Sequence, residues 1–202
     1  MPLLTANSDE PDALILEGIV VTLDAAGRPN VAPMGPRVDR AISRLVLRPY
    51  QTAQTYRNLK ATSCGVFHVT DDVELLARAA IGEARKPPEL AAIADFPCPR
   101  LADCCRWFAF GVERLDDTQE RTTIDCRVIA RSEVRPFFGF NRAKHAVLEA
   151  AILATRVGIL PADEIRRELA RLAIPVQKTA GHQERVAFAL LQDYIQRKLP
   201  DS

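Results

Sequence analysis

Residues 13–39, with the sequence ALILEGIVVTLDAAGRPNVAPMGPRVD, decide the fold class. The first half is rich in β-branched residues, which favour strands, and residues 24–29 concentrate the glycine and proline of a tight turn. A second strand follows that turn. We therefore expect a β-hairpin here, preceded by a polar tail at residues 1–12.

Further strand patterns follow at short intervals. Residues 44–48 (RLVLR) and 64–70 (CGVFHVT) each read as one strand. Two longer strands are predicted at 106–115 and 121–135, separated by a turn. Because strands joined by such short connections pair antiparallel, the pattern predicts an antiparallel barrel of about six strands.

A proline-rich passage interrupts the strands. Its sequence, KPPELAAIADFPCPR at residues 86–100, contains four prolines, which exclude a continuous helix or a central strand. We expect it to cover the sheet as an ordered excursion. The residues before it, 71–85, show weak helical periodicity.

The pattern changes to helix near the C-terminus. Helices are predicted at residues 143–156, 161–172 and 182–198, the last with one apolar face. The fold class is therefore α+β, mainly β. We expect a barrel domain at residues 13–140 and a helical subdomain at 141–202.

Composition narrows the function class. The chain has 202 residues, 48% of them hydrophobic, and 27 basic residues against 26 acidic ones. This balance gives a net charge of +1, which argues against nucleic acid as a partner. No apolar run has the length of a membrane span, and the N-terminus lacks the features of a signal peptide. We expect no membrane association and a cytoplasmic location.

The cysteines and histidines give no support for a metal site. Five cysteines, without a CxxC pair, are best interpreted as buried thiols, and a metal site at residues 98–105 is the weaker alternative. The three histidines His68, His145 and His182 are far apart in sequence. Common nucleotide, protease and hydrolase motifs are also absent.

A first candidate site is the bend formed by Ala32, Pro33, Met34, Gly35 and Pro36. Proline removes a backbone donor and glycine permits unusual dihedral angles, so a bend here leaves main-chain groups without partners. The edge of a flat heterocycle with alternating donors and acceptors would satisfy them. Packing of a strand end against a neighbour is the other interpretation.

A second candidate site begins at Arg48, at the end of a strand, and continues through Thr52, Thr55 and Asn58. If Thr55 opens a helix, its hydroxyl and the free N–H groups of the first turn converge on an anion beside the guanidinium. An ordinary N-cap with a surface arginine is the simpler interpretation, and the residues alone favour it.

A third segment places cations at a helix start, where the helix dipole disfavours them. Asn141 is a candidate N-cap, followed by Arg142, Lys144 and His145. An anion site and plain solvent exposure both remain open. For the neighbouring acids Asp71 and Asp72 we favour helix capping. Tyr50, Tyr56 and Trp107 could stack on a ligand ring, but aromatic residues at strand ends usually belong to the core. Phe137, Phe138 and Phe140 form an apolar cluster before a helix and are expected to pack.

Three segments taken together resemble a known superfamily. They are GRPNVAPMG, then LRPYQTAQTYRNL with the following VFHVTDD, and FNRAKHAVLEAAILATR. Their order is similar to that of the FMN-binding split-barrel superfamily, which includes flavin reductases and pyridoxamine-phosphate oxidases. An uncharacterised prokaryotic branch of it is the nearest match. The resemblance implies that the predicted barrel is a split barrel.

The resemblance also implies a cofactor and its ligands. Residues 32–36 would run along the isoalloxazine ring of FMN, and FMN would lie near the interface of a homodimer. The phosphate would be held by Arg48, Thr52, Thr55 and Asn58, and Tyr50, Asn141 and Arg142 would complete the site. The chain departs from the flavin reductase pattern in having Ala53-Gln54-Thr55 in place of Lys-Asp-Thr, and Met34-Gly35 after Ala-Pro.

Three functions follow from these expectations. The first is a flavin-dependent oxidoreductase that takes electrons from a donor such as NAD(P)H and reduces a small acceptor, with the cofactor supplying the redox chemistry. The second is an FMN carrier or redox sensor without turnover. The third is an interaction domain that has lost flavin, because a fold does not determine a function.

Overall fold

A computed structural model describes residues 13–83 and 87–199, and this part of the chain contains ten strands and five helices. The strands are β1 (Leu14–Ile15), β2 (Gly18–Leu23), β3 (Pro29–Met34), β4 (Arg37–Val38), β5 (Arg44–Leu47), β6 (Cys64–Val69), β7 (Leu90–Ile93), β8 (Phe96–Leu101), β9 (Arg106–Asp116) and β10 (Thr123–Glu133). The helices are α1 (Gln54–Thr62), α2 (Val73–Ala80), α3 (Arg142–Ala154), α4 (Ala162–Thr179) and α5 (His182–Lys198).

Eight strands form one antiparallel sheet in the order β1-β4-β5-β10-β9-β6-β2-β3. The sheet curls into a half-barrel, which confirms the predicted antiparallel split barrel. Six of its strands have four residues or more, and β1 and β4 are two-residue additions at one edge. The predicted hairpin is β2 with β3, whose turn is held by Asp24 Oδ1, which accepts from the N–H groups of Ala26 and Arg28, both at 2.9 Å.

The core of this sheet lies between its concave face and α1. Tyr56 and Leu59 of α1 pack among apolar side chains from six strands of the sheet and belong to one buried cluster. Burial of this apolar face is the main term that stabilises the curled sheet. The principal strand residues of the cluster are Val20, Val38, Leu45, Leu47, Phe67, Phe108, Phe110 and Ile124.

The proline-rich passage forms a separate hairpin, β7 with β8. Pro97 and Pro99 lack the N–H groups that a central strand needs, so β8 stays outside the main sheet and packs on β2 and β6. The Sγ of Cys98 contacts the carbonyl of Val21 at 3.3 Å, and Leu101 N–H donates to Nε2 of His68 at 3.0 Å. The predicted excursion over the sheet is therefore confirmed.

The described residues group into two compact units. The barrel unit comprises the residues up to Val69 together with Leu90–Arg135, and the helical unit comprises Thr70–Glu89 together with the residues from Pro136 onward. The predicted barrel domain, 13–140, therefore included two segments that belong with the C-terminal helices. The reason is that α2 buries its apolar face against α3 and α5.

Two details of the helical unit concern the helix ends. Asp72 caps α2 by accepting a hydrogen bond from Leu75 N–H at 3.0 Å, as predicted. The prediction ended the second C-terminal helix at residue 172, but α4 continues to Thr179 with Pro175 inside it. Its apolar face extends across the proline to Val176, and this burial offsets the lost backbone hydrogen bond.

None of the helices in the described residues is long and apolar enough to span a membrane.

Candidate functional site

The candidate site begins at the free edge of β3. This strand is the last of its sheet and pairs only with β2, so within the described residues no strand bonds to its outer edge. Ala32, Pro33 and Met34 are half-buried along it, and Gly35 follows directly. Backbone groups on this edge are therefore available to a ligand. The predicted bend differs from the structure, because residues 32–34 belong to a paired strand and the carbonyl of Pro36 accepts from Leu16 N–H at 3.1 Å.

A side-chain hydrogen bond joins this edge to α1. Nδ2 of Asn30, on β3, donates to Oγ1 of Thr55 at 3.2 Å. Thr55 is only 2% exposed, so the contact is protected from water. The first two predicted site segments are thus adjacent, and Asn30 is a residue that the sequence analysis missed. The only sequence signal was that Asn30 lies two residues before Ala32 on one strand, so both side chains lie on the same face of the sheet.

The start of α1 differs from the prediction in one respect. Thr55 was expected to open the helix as its N-cap, but the helix begins at Gln54 with Ala53 as the N-cap. Ala53 has no side-chain oxygen, and no side chain in the described residues caps the helix. The first-turn N–H groups therefore lack intrahelical partners, and they carry the positive end of the helix dipole. This terminus can bind an anion.

Arg48 lies directly after β5 and is the main cation of the candidate site. Its Nε is buried and has no hydrogen-bond partner in the described part of the structure. Arg48 as a whole is half-buried, and its predicted role toward an anion stays a prediction. A buried guanidinium N–H without an acceptor is costly, so the atom indicates a polar ligand that completes it.

The loop between Arg48 and α1 is held in place by backbone hydrogen bonds. The carbonyl of Pro49 accepts from Thr122 N–H at 3.0 Å and from its hydroxyl at 2.8 Å. Gln51 N–H donates to the carbonyl of Glu120 at 2.9 Å. These contacts tie the loop to the residues that directly precede β10. Arg48 and the start of α1 are therefore positioned before any ligand binds.

Asn58 lies beneath the helix start and is 1% exposed. Its Oδ1 accepts from Nε2 of Gln54 at 2.7 Å, and its Nδ2 donates to Oγ1 of Thr22 at 2.9 Å. Gln54 stands where flavin reductases have Asp, and an ionised Asp could not donate this hydrogen bond. The Gln54 contact lies within α1 and fixes the Asn58 amide, whose hydrogen bond to Thr22 ties α1 to β2.

Two further predicted residues are exposed in the loop. The ring of Tyr50 is 56% exposed, and the guanidinium of Arg121 lies over it at 5.7 Å from the ring centre. The side chain of Thr52 is also exposed, and its carbonyl accepts from Nη2 of Arg57 at 2.9 Å. Both residues remain available to a ligand that approaches α1 from solvent.

Tyr56 belongs to the core, as expected for a buried aromatic residue. It is 8% exposed, and its hydroxyl donates to Oδ2 of Asp117 at 2.7 Å. Lys60 Nζ binds the same oxygen at 2.8 Å. The hydrogen bond from Lys60 lowers the pKa of Asp117, so this carboxylate remains ionised and holds the end of α1.

Asn141 and Arg142 lie in the helical unit, and their predicted role toward a flavin stays a prediction. Asn141 caps α3 by accepting from the N–H groups of Ala143 and Lys144, at 2.8 and 3.2 Å. Its Nδ2 donates to the carbonyl of Thr179 at 3.1 Å, and Arg142 is exposed.

The cation that follows this cap has partners of its own. Lys144 Nζ donates to the carbonyl of Asp71 at 2.6 Å and forms an ion pair with Glu184 at 3.0 Å. Burial is the largest single influence on Glu184 and opposes its ionisation. The hydrogen bonds from Lys144 and from backbone N–H groups, together with the charge of Lys144, outweigh burial and lower the pKa of the carboxyl. The pair accounts for a lysine at a helix start, where the dipole alone would disfavour it.

Three phenylalanines before α3 do not pack as expected. Phe138 and Phe140 are 81% and 94% exposed, and Phe137 is half exposed. The backbone explains this, because Phe138 N–H donates to Oδ2 of Asp71 at 2.8 Å and the side chain points outward. Phe140 stacks on the His145 ring at 6.0 Å between ring centres.

His68 and most cysteines are buried structural residues. Nδ1 of His68 lies 3.2 Å from the carbonyl of Ile19, while Nε2 accepts from Leu101 N–H. Burial lowers the pKa of His68 to about 4. The thiols of Cys98, Cys104, Cys105 and Cys126 are buried, which confirms that prediction for them, and Cys64 is half-buried. Among the described residues no cluster of three or more metal-ligating side chains occurs.

Family models match most of the chain. Residues 16–135 match the model for the N-terminal domain of DUF447, a family of proteins of unknown function, and residues 141–193 match a second DUF447 model. Among curated proteins, none matches the chain.

Solved structures share the fold. An FMN-bound protein of the DUF447 family from Methanosarcina mazei superposes with a TM-score of 0.78 at 23% identity, over 90% of this chain and 95% of that one. A 2-nitrobenzoate 2-nitroreductase from Pseudomonas fluorescens gives a TM-score of 0.51 at 12% identity, over 66% and 76%. A protein assigned as a flavin reductase with a split-barrel domain, from Shewanella frigidimarina, gives 0.50 at 10% identity, over 59% and 67%.

Proposed function

Because the chain belongs to the DUF447 family, we propose that it binds FMN between the free edge of β3 and the start of α1 and acts as a flavin-dependent oxidoreductase. The FMN bound to the Methanosarcina mazei member supports this choice of cofactor. Two features of the structure support the location: the uncapped start of α1 offers donors for a phosphate, and the free edge of β3 offers backbone donors and acceptors for a flat ring.

The observation that carries the proposal is the buried Nε of Arg48, which lacks a partner in the described residues. A phosphate monoester accepts charge-assisted hydrogen bonds from a guanidinium, and the uncapped N-terminus of α1 adds backbone donors for the same anion. Arg48, Thr52 and Thr55 would therefore hold the phosphate. Asn58 would support them through Gln54.

The residues of β3 would hold the ring. Ala32, Pro33, Met34 and Gly35 would border the isoalloxazine, and Tyr50 would cover it from the solvent side. When bound, FMN supplies the hydride and electron transfer itself. The chain's own part is to orient the cofactor and to exclude water from one side of it, and this requires no acid or base among these residues.

We further propose a homodimer with FMN near its interface. The support is a set of exposed apolar side chains. In the barrel unit Ile129 is 65% exposed, and in the helical unit Phe138 and Phe140 are 81% and 94% exposed. Exposed apolar side chains that cluster, as Phe137 and Phe140 do, often mark a surface that binds a partner. In this arrangement Asn141 and Arg142 would contribute to a flavin site. The electron donor would be NAD(P)H and the acceptor a small molecule, and a cytoplasmic location stays a prediction from the sequence.

A carrier or sensor without turnover is the second candidate. Its support is Ala53-Gln54, which replaces the Lys-Asp found before this threonine in flavin reductases. A flavin-free interaction domain is the third candidate, and it predicts that the protein cannot retain FMN.

Two measurements separate the candidates. Titration with FMN and with riboflavin, which lacks the phosphate, tests the site, and FMN should bind more tightly. Anaerobic addition of NADH or NADPH to the FMN-loaded protein then tests turnover, because an oxidoreductase loses its flavin absorbance within seconds. Binding without reduction by either nucleotide would reject the proposed electron donor and favour the carrier.

A further inference from the structure

A cavity of about 630 Å³ opens in the barrel unit, and it uses none of the residues assigned to FMN. Its apolar wall is formed by Leu14 of β1, Leu16, Val38 of β4 and Ile42. Cavities of this volume hold one small organic molecule, and apolar walls select a ligand with an apolar body.

The charges at this cavity favour an anion. Arg40 and Arg106 both line it, and neither forms a salt bridge within the described residues. The guanidinium of Arg106 lies 5.8 Å from the ring centre of Phe108, and this cation–π contact restrains its position without neutralising its charge. Two arginines without ionic partners leave a positive potential that a carboxylate or sulfonate would neutralise.

The acid at the cavity does not cancel this potential by pairing with the arginines. Asp39 accepts hydrogen bonds from the N–H groups of Ser43 and Arg44, at 2.7 and 3.3 Å, and from the Ser43 hydroxyl. Its carboxylate is therefore occupied by its own turn. A ligand carboxylate would meet Arg40 and Arg106 as free donors.

The turn that carries Ile42 is held in an unusual conformation. Ile42 has a φ of +50°, which a β-branched residue rarely adopts. Its N–H donates to the carbonyl of Asp39 at 3.0 Å, and Nη1 of Arg131 donates to the carbonyl of Ala41 at 2.7 Å. These contacts hold Ile42 in the cavity wall, and strained residues of this kind cluster where ligands bind.

We propose that this cavity binds a small amphipathic acid, with an aromatic or branched apolar body against the apolar wall and a carboxylate or sulfonate on Arg40 and Arg106. This site is separate from the proposed FMN site and does not depend on flavin. It adds an anionic ligand to the partners of the protein.

The test uses 1-naphthoate as the probe and the neutral 1-naphthalenemethanol as its matched analogue. Both are titrated calorimetrically into the full chain, with and without FMN. We expect naphthoate to bind and the alcohol to bind about tenfold more weakly, because the alcohol lacks the charge that the arginines recognise. Equal affinity for both compounds, or no binding of naphthoate at millimolar concentration, would overturn the proposal.

Variants locate the binding. Arg40→Gln combined with Arg106→Gln should weaken naphthoate by about tenfold or more and leave the alcohol unchanged. Arg28→Gln, at the exposed turn of the β2–β3 hairpin, is the control and should change neither. Equal losses in the control would indicate general charge attraction and contradict the assignment.

Two further measurements exclude other occupants and other causes. The FMN affinity of the same variants should be unchanged. This measurement distinguishes a loss of acid binding from a loss of FMN binding. Light scattering should give the same mass for Leu14→Gln as for the unchanged protein. If naphthoate does not bind and Leu14→Gln dissociates an oligomer, a second copy of the chain covers the cavity and the proposal is wrong.

Discussion

The amide of Asn30 donates to the hydroxyl of Thr55 at 3.2 Å, and this one hydrogen bond joins the free edge of β3 to the start of α1. The two residues are 25 positions apart in the chain. The contact brings the segment proposed for the flavin ring next to the segment proposed for the phosphate. It therefore sets the geometry of the whole proposed FMN site.

Loss of this hydrogen bond should weaken FMN binding. Thr55→Val keeps the shape of the side chain and removes the hydroxyl, and we expect a loss of about 1.5–3 kcal/mol if the hydroxyl also bonds the phosphate. Asn30→Ala should weaken FMN by a smaller amount, and the double variant should lose less than the sum. Fluorescence titration measures the FMN affinity of the unchanged protein, of each single variant and of the double variant.

The control for this cycle is Thr62→Val in the last turn of α1. Its hydroxyl donates to the carbonyl of Asn58 within the helix, at 2.9 Å, and also contacts the Cys64 thiol. We expect FMN affinity to be unchanged. Fully additive losses for Asn30 and Thr55 would show that the two residues act separately and would contradict the positioning role.

Arg48 should distinguish FMN from riboflavin. Arg48→Ala removes the charged donor, and we expect FMN to weaken by about 1.5–3 kcal/mol while riboflavin, which lacks the phosphate, is unchanged. Arg48→Lys should recover part of the loss because it restores the charge without the bidentate geometry. Arg28→Ala is the surface control. An equal loss of affinity for FMN and riboflavin would show that Arg48 does not bind the phosphate.

The same arginine should lower the stability of the flavin-free protein, because its buried Nε is unsatisfied there. Arg48→Met keeps the length of the side chain and removes the polar group. We expect the free energy of unfolding in urea to stay constant or to rise by about 1 kcal/mol. A loss of several kcal/mol would mean that Arg48 serves the fold itself.

Gly18 should not tolerate a side chain. A Cβ on Gly18 would lie 2.2 Å from the backbone oxygen of His68, and backbone in a paired strand cannot move away. Gly18→Ala should therefore cost about 3 kcal/mol or more of unfolding free energy. Gly111→Ala is the matched strand control, because its Cβ would meet only the end of the exposed Ile129 side chain at 3.1 Å. Similar losses in both variants would contradict this account.

His68 should make the stability of the protein fall as the pH falls. Its pKa is lowered from 6.5 to about 4 in the folded state, chiefly by burial. Above pH 6.5 the residue is neutral in both states and the full stability is present. Between pH 6.5 and 4 only the unfolded state gains the proton, so we expect a loss of roughly 3 kcal/mol from this residue across that window.

Urea denaturation between pH 7 and pH 4 measures this loss, and His68→Gln should reduce the slope. His182→Gln, at an exposed histidine, is the control and should leave the slope unchanged. If His68→Gln does not fold, nitrogen NMR of the unchanged protein gives the answer directly. The ring of His68 should remain neutral at pH 5 with the proton on Nδ1, and a charged ring at that pH would contradict the prediction.

Much of the fold could be predicted from local patterns. The hairpin of β2 and β3, the long strands β9 and β10 and the helix α5 follow from periodicity and turn residues that lie within each segment. The assignment of residues 70–89 to the helical unit could not be predicted. It depends on the packing of α2 against helices that come more than sixty residues later.

The segments of the proposed site could be predicted from the sequence, but the contacts between them could not. The order of the Ala-Pro bend, Arg48 and Thr55 identified the segments, but a single sequence does not reveal that Asn30 meets Thr55 or that Asn58 bonds Gln54 and Thr22. The Asn30–Thr55 and Asn58–Thr22 contacts are long-range pairs between polar residues of ordinary types. The exposure of Phe138 and Phe140 could not be predicted either, because an apolar cluster before a helix usually packs into a core.

The visible absorption spectrum of the purified protein, taken before and after FMN is added and the excess dialysed away, tests the central claim most directly. The proposed site predicts that flavin bands are retained, at about one FMN per chain, and that Arg48→Ala loses them under the same dialysis. A protein that stays colourless after FMN addition and dialysis would contradict FMN binding and leave the split barrel with another role.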